Sequence, residues 1–153
     1  MKVSDFKKRT RRTTEAAFEK AFADALQEQD IWSRHMADRN SGLPDRYLGQ
    51  GRWVELKSLE YAKGLVPYGA GLSVEQRNVG TDLIVAGDEV WYLALITATD
   101  GQHVLFMPMH KAIAHPERFV DCKADENTLG SNVFRRSYRG KDTLRELIPL
   151  SRW

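Results

Sequence analysis

The sequence predicts an α/β layered domain: a mixed sheet with a central hairpin, flanked by helices. Three observations carry that expectation. Phe18, Phe22, Ala25 and Leu26 recur at helical spacing before any strand signal. A glycine bend, Gly49-Gln50-Gly51, separates two runs of strand character. The run Val90 to Thr97, β-branched and aromatic on both faces, is then the profile of a central strand.

Taken in order, residues 1–13 form a basic arm ahead of a single domain, whose core spans 14–108 and whose C-terminal extension spans 109–153. Thr14 is a plausible N-cap for a helix over Glu15 to Gln29. Ile31 to Met36 suits a first strand, and Asn40, Ser41 and Gly42 are loop chemistry. Leu43 to Leu48 and Arg52 to Ser58 make the hairpin, followed by a glycine-rich, aromatic loop from Tyr61 to Gly71. Ser73-Val74-Glu75-Gln76 is a capping box opening a second helix to about Ala86, with Val79, Leu83, Ile84 and Ala86 towards the core. Gly80 inside that helix costs roughly 1 kcal/mol against alanine, which implies a close approach by a neighbour. Asp100-Gly101 turns the chain into a strand over His103 to Met107, and Met109 to Ala114 makes a short helix stopped by Pro116. Beyond Glu117 the pattern assigns nothing.

Composition bounds the function. With 153 residues the chain suits one domain with a proper core. The longest apolar run, Val90 to Ile96, is too short for a bilayer, and the polar, basic start does not read as a signal peptide, so no membrane partner is expected. Cys122 is the sole cysteine, which excludes an internal disulfide or a cysteine-built metal site and fits a reducing cytoplasm. His35, His103, His110 and His115 lack zinc spacing. Net charge is only +2, but cations cluster. Lys2, Lys7, Lys8, Arg9, Arg11 and Arg12 lie at the start; Arg135, Arg136, Arg139, Lys141 and Arg145 lie near the end. Such clusters either meet phosphates or are merely solvated.

The hairpin raises the chemical question, because acids are depleted in strands. A three-residue bend over Gly49-Gln50-Gly51 pairs Leu48 with Arg52, Tyr47 with Trp53 and Asp45 with Glu55. Asp45, Tyr47, Trp53, Glu55 and Lys57 then share one face, and Leu48, Val54 and Leu56 the other. A two-residue turn would shift the register by one and separate the acids. Opposed carboxylates about 5 Å apart at Cβ repel unless neutralised. Lys57 does so in part, and Mg²⁺ or Mn²⁺ would do so fully. Such a centre can polarise a phosphodiester and activate water, with Lys57 holding that water or offsetting charge on the phosphate. Tyr47 and Trp53 are placed either to stack on a base or to pair across strands.

Pro44-Asp45 followed by Glu55-Leu56-Lys57 resembles the PD-(D/E)xK nuclease superfamily, with its restriction-endonuclease-like core of helix, mixed sheet and second helix. Leu43 to Ser58 is similar in layout to the phage endonucleases that resolve branched DNA. By spacing, Glu19 matches the helix glutamate of those enzymes and of archaeal Holliday-junction resolvases; Glu15 is the competing match, as in the virus-type replication-repair branch. Leu72 to Gln76 resembles a further motif of that branch, in which a helix glutamine reaches the site. The lysine-rich tail of the phage resolvases is missing. The resemblance implies a Mg²⁺-dependent DNA endonuclease (Mn²⁺ substituting), with Asp45, Glu55 and Glu19 on the metal, Lys57 assisting the water and Gln76 in support. It also implies a homodimer on branched DNA in phage recombination or genome processing. Arg34 and Arg39, which flank the loop before the hairpin, and Lys7, Lys8, Arg11, Arg12, Arg135 and Arg136 of the basic clusters are candidate DNA contacts. The alternatives are a flap or single-strand nuclease without junction preference, a non-catalytic nucleic-acid-binding module of the same fold, and a structural protein in which the motif is coincidence.

Overall fold

A single long helix, α1 (Val3–Glu28), opens the chain. The computed structural model describes residues 3–36, 42–123 and 132–151, with the backbone alone for 3–13. The expected free basic arm is therefore helical, and Thr14 lies inside α1 rather than capping it. The reason is local: Val3 to Thr13 holds no glycine or proline, and its lysines and arginines are good helix formers. The far end stops without a glycine. Asp30 takes the left-handed conformation (φ 58). The Ile31 N–H then reaches back to the Leu26 carbonyl and the Asp30 N–H to that of Gln27. This is a Schellman closure with aspartate in the usual glycine place. Phe18, Phe22, Ala25 and Leu26 are all buried, as their spacing predicts.

The strands β1 (Arg34–His35), β2 (Arg46–Gly49) and β3 (Arg52–Glu60) follow. After them come β4 (Leu65–Pro67), the helix α2 (Val74–Val85), and the strands β5 (Glu89–Ala98) and β6 (Gly101–Pro108). The rest comprises α3 (Met109–Ala114), β7 (Phe119–Asp121), β8 (Phe134–Ser137), α4 (Lys141–Leu147) and a final 3₁₀ turn, Ile148–Ser151. Six strands form one sheet in the order β1-β2-β3-β5-β6-β8, and β4 pairs with β7 in a second, two-stranded sheet. Of the pairs in the large sheet only β3 with β5 is parallel, and α2 is the crossover that parallel pairing requires. The mixed α/β expectation holds.

Burial explains why β5 is central. Trp91, Leu93 and Leu95 pack with the apolar face of α1 and with Leu144 and Leu147 of α4. Tyr92, Ala94 and Ile96 pack on the opposite side with Val66, Met109, Ala112 and Val120. On the first side, Lys141 and Arg145 of α4 also pair with Glu28 of α1 at 2.9 and 2.6 Å. Among the described residues, no helix is long and apolar enough to cross a membrane.

Several boundaries move. The first strand shrinks to the exposed pair Arg34 and His35. The Tyr61 to Gly71 loop contains β4, and the unassigned tail supplies β7, β8 and α4. Ala98 pairs with Gly101, so the turn is Thr99-Asp100 and not Asp100-Gly101. The capping box at Ser73 forms as read, with the hydroxyl accepting the Gln76 N–H. Leu83 and Ile84 pack on the core, but Ala86 is the exposed C-cap. Gly80 is the only buried residue of α2, and a Cβ there would lie 3.4 Å from Met109 of α3. That is the close approach its position implied.

Gly69 carries a stricter demand. Its φ is +71, and a Cβ would sit 2.6 Å from the Ala112 carbonyl oxygen. Left-handed strain plus a backbone clash should make Gly69→Ala cost about 2–4 kcal/mol. Thermal unfolding would register this as a clear fall in midpoint, and an unchanged midpoint would refute the close contact.

A carboxylate, lysine and glutamine site at the open edge of β3

The site exists because β2 is short. Along its whole length β3 pairs with β5, but on its other edge β2 covers only Arg52 to Val54. From Glu55 onward, among the described residues, that edge has no strand beside it in the large sheet. Asp45, in the bend just before β2, closes the first step: its Oδ2 accepts the Leu56 N–H at 2.8 Å. The Asp45 carbonyl meanwhile accepts the Met36 N–H at 2.8 Å. The side chain thus continues the ladder in place of backbone, which fixes the carboxylate.

The bend is not the three-residue loop expected. Gln50 and Gly51 form a two-residue turn, both left-handed (φ 53 and 72), and Gly49 rather than Leu48 pairs with Arg52. Alone this would displace the acids. However, Leu48 is bulged, so Tyr47 still pairs with Trp53 and Arg46 with Val54. The two departures cancel, and Asp45 lies beside Glu55 within side-chain hydrogen-bond range.

Glu55 is 2 % exposed. Burial first, and the neighbouring Asp45 charge second, push its carboxyl up to about 9, against the pull of Lys57. Near neutral pH it holds its proton. Lys57 Nζ lies 3.7 Å from Glu55 Oε1 and donates to Gln76 Oε1 at 2.9 Å. Gln76 Nε2 donates to Glu55 Oε1 at 3.3 Å, while its Oε1 also accepts the Ser73 N–H at 2.9 Å. Gln76 therefore both caps α2 and bridges the acid to the lysine.

These groups line one cavity of about 380 Å³, together with Glu19 and Glu15 of α1. Glu19 is half-buried, and its carboxyl is raised by that burial and then by Asp45, with His35 and Arg46 pulling it down. Glu15 is exposed and acts on Glu19 more weakly than Asp45 does. Glu19 is thus a helix acid in electrostatic contact with Asp45. Among the described residues no three His, Cys, Asp or Glu side chains are grouped as a ready metal cage. The expected set of Asp45, Glu55 and Glu19 is therefore a pair with a third acid at electrostatic range. That donor set fits Mg²⁺, which typically takes one or two protein carboxylates and fills the remainder with water and phosphate.

One wall escaped the sequence reading. The turn through Gly69 and Gly71 is pinned from below by Tyr92, whose hydroxyl donates to the Ala70 carbonyl at 2.7 Å. Arg77 Nη2 holds the Gly69 carbonyl at 3.0 Å. Gly71 (φ +82) then presses on the site, since a Cβ would sit 2.9 Å from Leu59 and 3.3 Å from the Lys57 stem. The density of glycines in that loop was the available signal.

The candidate DNA contacts divide. Arg34 is exposed on β1. Lys7, Lys8, Arg11 and Arg12 lie on the first turns of α1, their side chains outside the described residues, as is Arg39 altogether. Arg135 must be withdrawn: it is 3 % exposed, with Nη1 3.4 Å from His103 Nδ1, because alternation on β8 turns it inward. Arg136 is half-buried, donates to the Arg135 carbonyl and lies 5.9 Å over the Phe134 ring. In comparison with known proteins, the chain matches no family model and no curated protein, so its functional reading stands on the geometry of this cavity.

Proposed function

We propose that the chain is a metal-dependent endonuclease that hydrolyses DNA phosphodiester bonds, on the plan of the PD-(D/E)xK enzymes it resembles. The observation that supports this most is the Glu55 carboxyl, buried beside Asp45 and bridged to Lys57 through Gln76 at one open cavity. A fold gains no stability from burying one acid beside a second, half-buried one, whereas a cation site draws its ligands from such a pair.

Each residue has a definite task. Asp45, held by the Leu56 N–H, presents a fixed carboxylate to the cavity. Glu55 must release its proton to act as a ligand, and Lys57 and Gln76 stabilise the resulting anion. A divalent cation such as Mg²⁺, when bound, supplies Lewis acidity and a more acidic water. Lys57 keeps donors beyond the one given to Gln76, and these orient the attacking water or meet the phosphate oxygens. Glu19 adds a third acid to the cavity lining. With one site per chain, cutting both strands of a junction calls for a homodimer.

Cleavage assays on four-way junctions, flaps, single strands and linear duplex, in Mg²⁺ and in Mn²⁺, test this reading. Lys57→Ala should slow cutting by about 10²–10³-fold. Binding without cleavage in either metal would instead favour a non-catalytic DNA-binding module.

A further inference from the structure

A row of aromatic rings crosses the outer strands beside the carboxylate site. Arg34 of β1 pairs with Tyr47 of β2, which pairs with Trp53 of β3. Directly paired residues point to the same side of a sheet, so these three side chains share a face. Trp32, two residues before Arg34, extends the row and packs edge-on against Tyr47, with centroids 6.3 Å apart. Tyr47 and Trp53 lie 4.5 Å apart, tilted by 54°. Polar contacts hold the inner two rings. Trp53 Nε1 donates to Asp88 Oδ2 at 2.9 Å, and the Tyr47 hydroxyl accepts the Gly51 N–H at 3.1 Å. Trp32 rests over Gly49, where a Cβ would come 3.7 Å from the indole. Even so, Trp32 is 61 % exposed. A lone surface tryptophan needs no explanation, but this one is held edge-on to Tyr47 at the end of a fixed row of rings while most of its surface stays open to solvent.

We infer that the exposed Trp32 ring, braced edge-on by Tyr47 and through it by Trp53, is the stacking surface of a platform for an unpaired base of a single-stranded nucleic acid. The inference rests on the nuclease reading for the strand's direction, since it deepens that reading by naming the substrate class. Trp53 and Glu55 are two residues apart on one face of β3, about 7 Å along the strand. The row therefore runs from the exposed Trp32 towards the carboxylates, and a strand whose base stacks on Trp32 is led along it to the site. Arg34, exposed in the same row, supplies a cation for the flanking backbone. Stacking is tolerant of sequence because every base has a π face. A paired base has its faces covered by its neighbours and gains little here.

The test uses the full chain carrying Asp45→Ala, so that bound DNA stays intact, with Mg²⁺ present. Fluorescence anisotropy compares an end-labelled oligothymidylate with a duplex of equal length. Adding Trp32→Ala should weaken single-strand binding roughly five- to one-hundredfold. Duplex binding, governed by phosphate contacts, should change less than about twofold. Trp32→Phe should recover most of the loss, and circular dichroism should be unaltered because the indole is largely outside the core. Equal losses on both DNAs, no loss, or failure of the single strand to bind would overturn the platform. So would conversion of a dimer to a monomer by Trp32→Ala without any change in DNA binding, which would assign this face to a second copy of the chain. Tryptophan-dependent single-strand binding by a chain that never cuts would retain the platform and remove the nuclease reading. Cutting whose strand preference ignores Trp32→Ala would do the reverse.

Discussion

Asp45→Asn is expected to lower Mg²⁺-dependent cleavage by about 10²–10³-fold while leaving thermal stability nearly intact. Asp45→Ala should lower both. The distinction follows from the two tasks of this side chain. Its Oδ2 accepts the Leu56 N–H, in the gap where β2 no longer reaches β3. Asparagine can still accept that hydrogen bond through its amide oxygen but carries no charge for a cation. Alanine leaves a strand N–H without its side-chain acceptor, which costs about 1–3 kcal/mol where water cannot replace it. Removing the Asp45 charge also lets the Glu55 carboxyl fall back towards its ordinary value, since Asp45 helps to raise it. Cleavage rates and unfolding midpoints of the two variants, measured side by side, separate the roles. An Asp45→Asn protein that cut at the unsubstituted rate would eliminate Asp45 as a ligand and, with it, the proposed chemistry.

The legible parts of this chain are those written in short-range chemistry. The Ser73 to Gln76 capping box, the apolar face of α1 and the two-sided apolar run of β5 were readable because each depends on residues a few positions apart. The hairpin register was legible for a less secure reason. Gln50-Gly51 makes a tighter turn than expected, and only the Leu48 bulge restores the pairing of Tyr47 with Trp53. Bulges depend on what the strand packs against, and here Leu48 joins the core under α1. No local pattern announces that. The basic start misled because charge says little about whether a segment is helical, and Arg135 misled because a cation in a strand can face inward when it meets a buried histidine. The glycines of the wall made by Gly69, Gly71 and Tyr92 were visible, but its assembly was not, because its parts come from distant segments: Ala70 is bound from Tyr92, and Gly69 abuts Ala112.

In the metal-free protein, stability is expected to fall as pH rises from about 4.5 towards about 9, and Glu55→Gln should flatten that fall. The folded chain raises the Glu55 carboxyl from its ordinary 4.5 to about 9, chiefly by burial. Between those values the folded state keeps a proton that the unfolded state gives up. The stability from Glu55 is thus complete below the unfolded pKa, declines across the window, and is exhausted once pH passes the folded value. The slope approaches about 1.4 kcal/mol per pH unit at most. Glutamine copies the protonated acid in size and can donate to Asp45 as it does, so its variant has no proton to lose. The exposed ion pairs of Glu28 act in the other direction: Arg145 and Lys141 hold its carboxyl down to about 2, so that contribution is lost only as pH falls through the acid range. The two limbs do not overlap. A divalent cation should compete with the Glu55 proton, so Mg²⁺ binding should strengthen as pH rises towards about 9 and should release protons. Calorimetry in buffers of different ionisation enthalpy measures that release directly. If Mg²⁺ binds with no proton release near neutral pH, Glu55 is not the ligand; if Glu55→Gln leaves the alkaline fall unchanged, the proton is not on Glu55 at all.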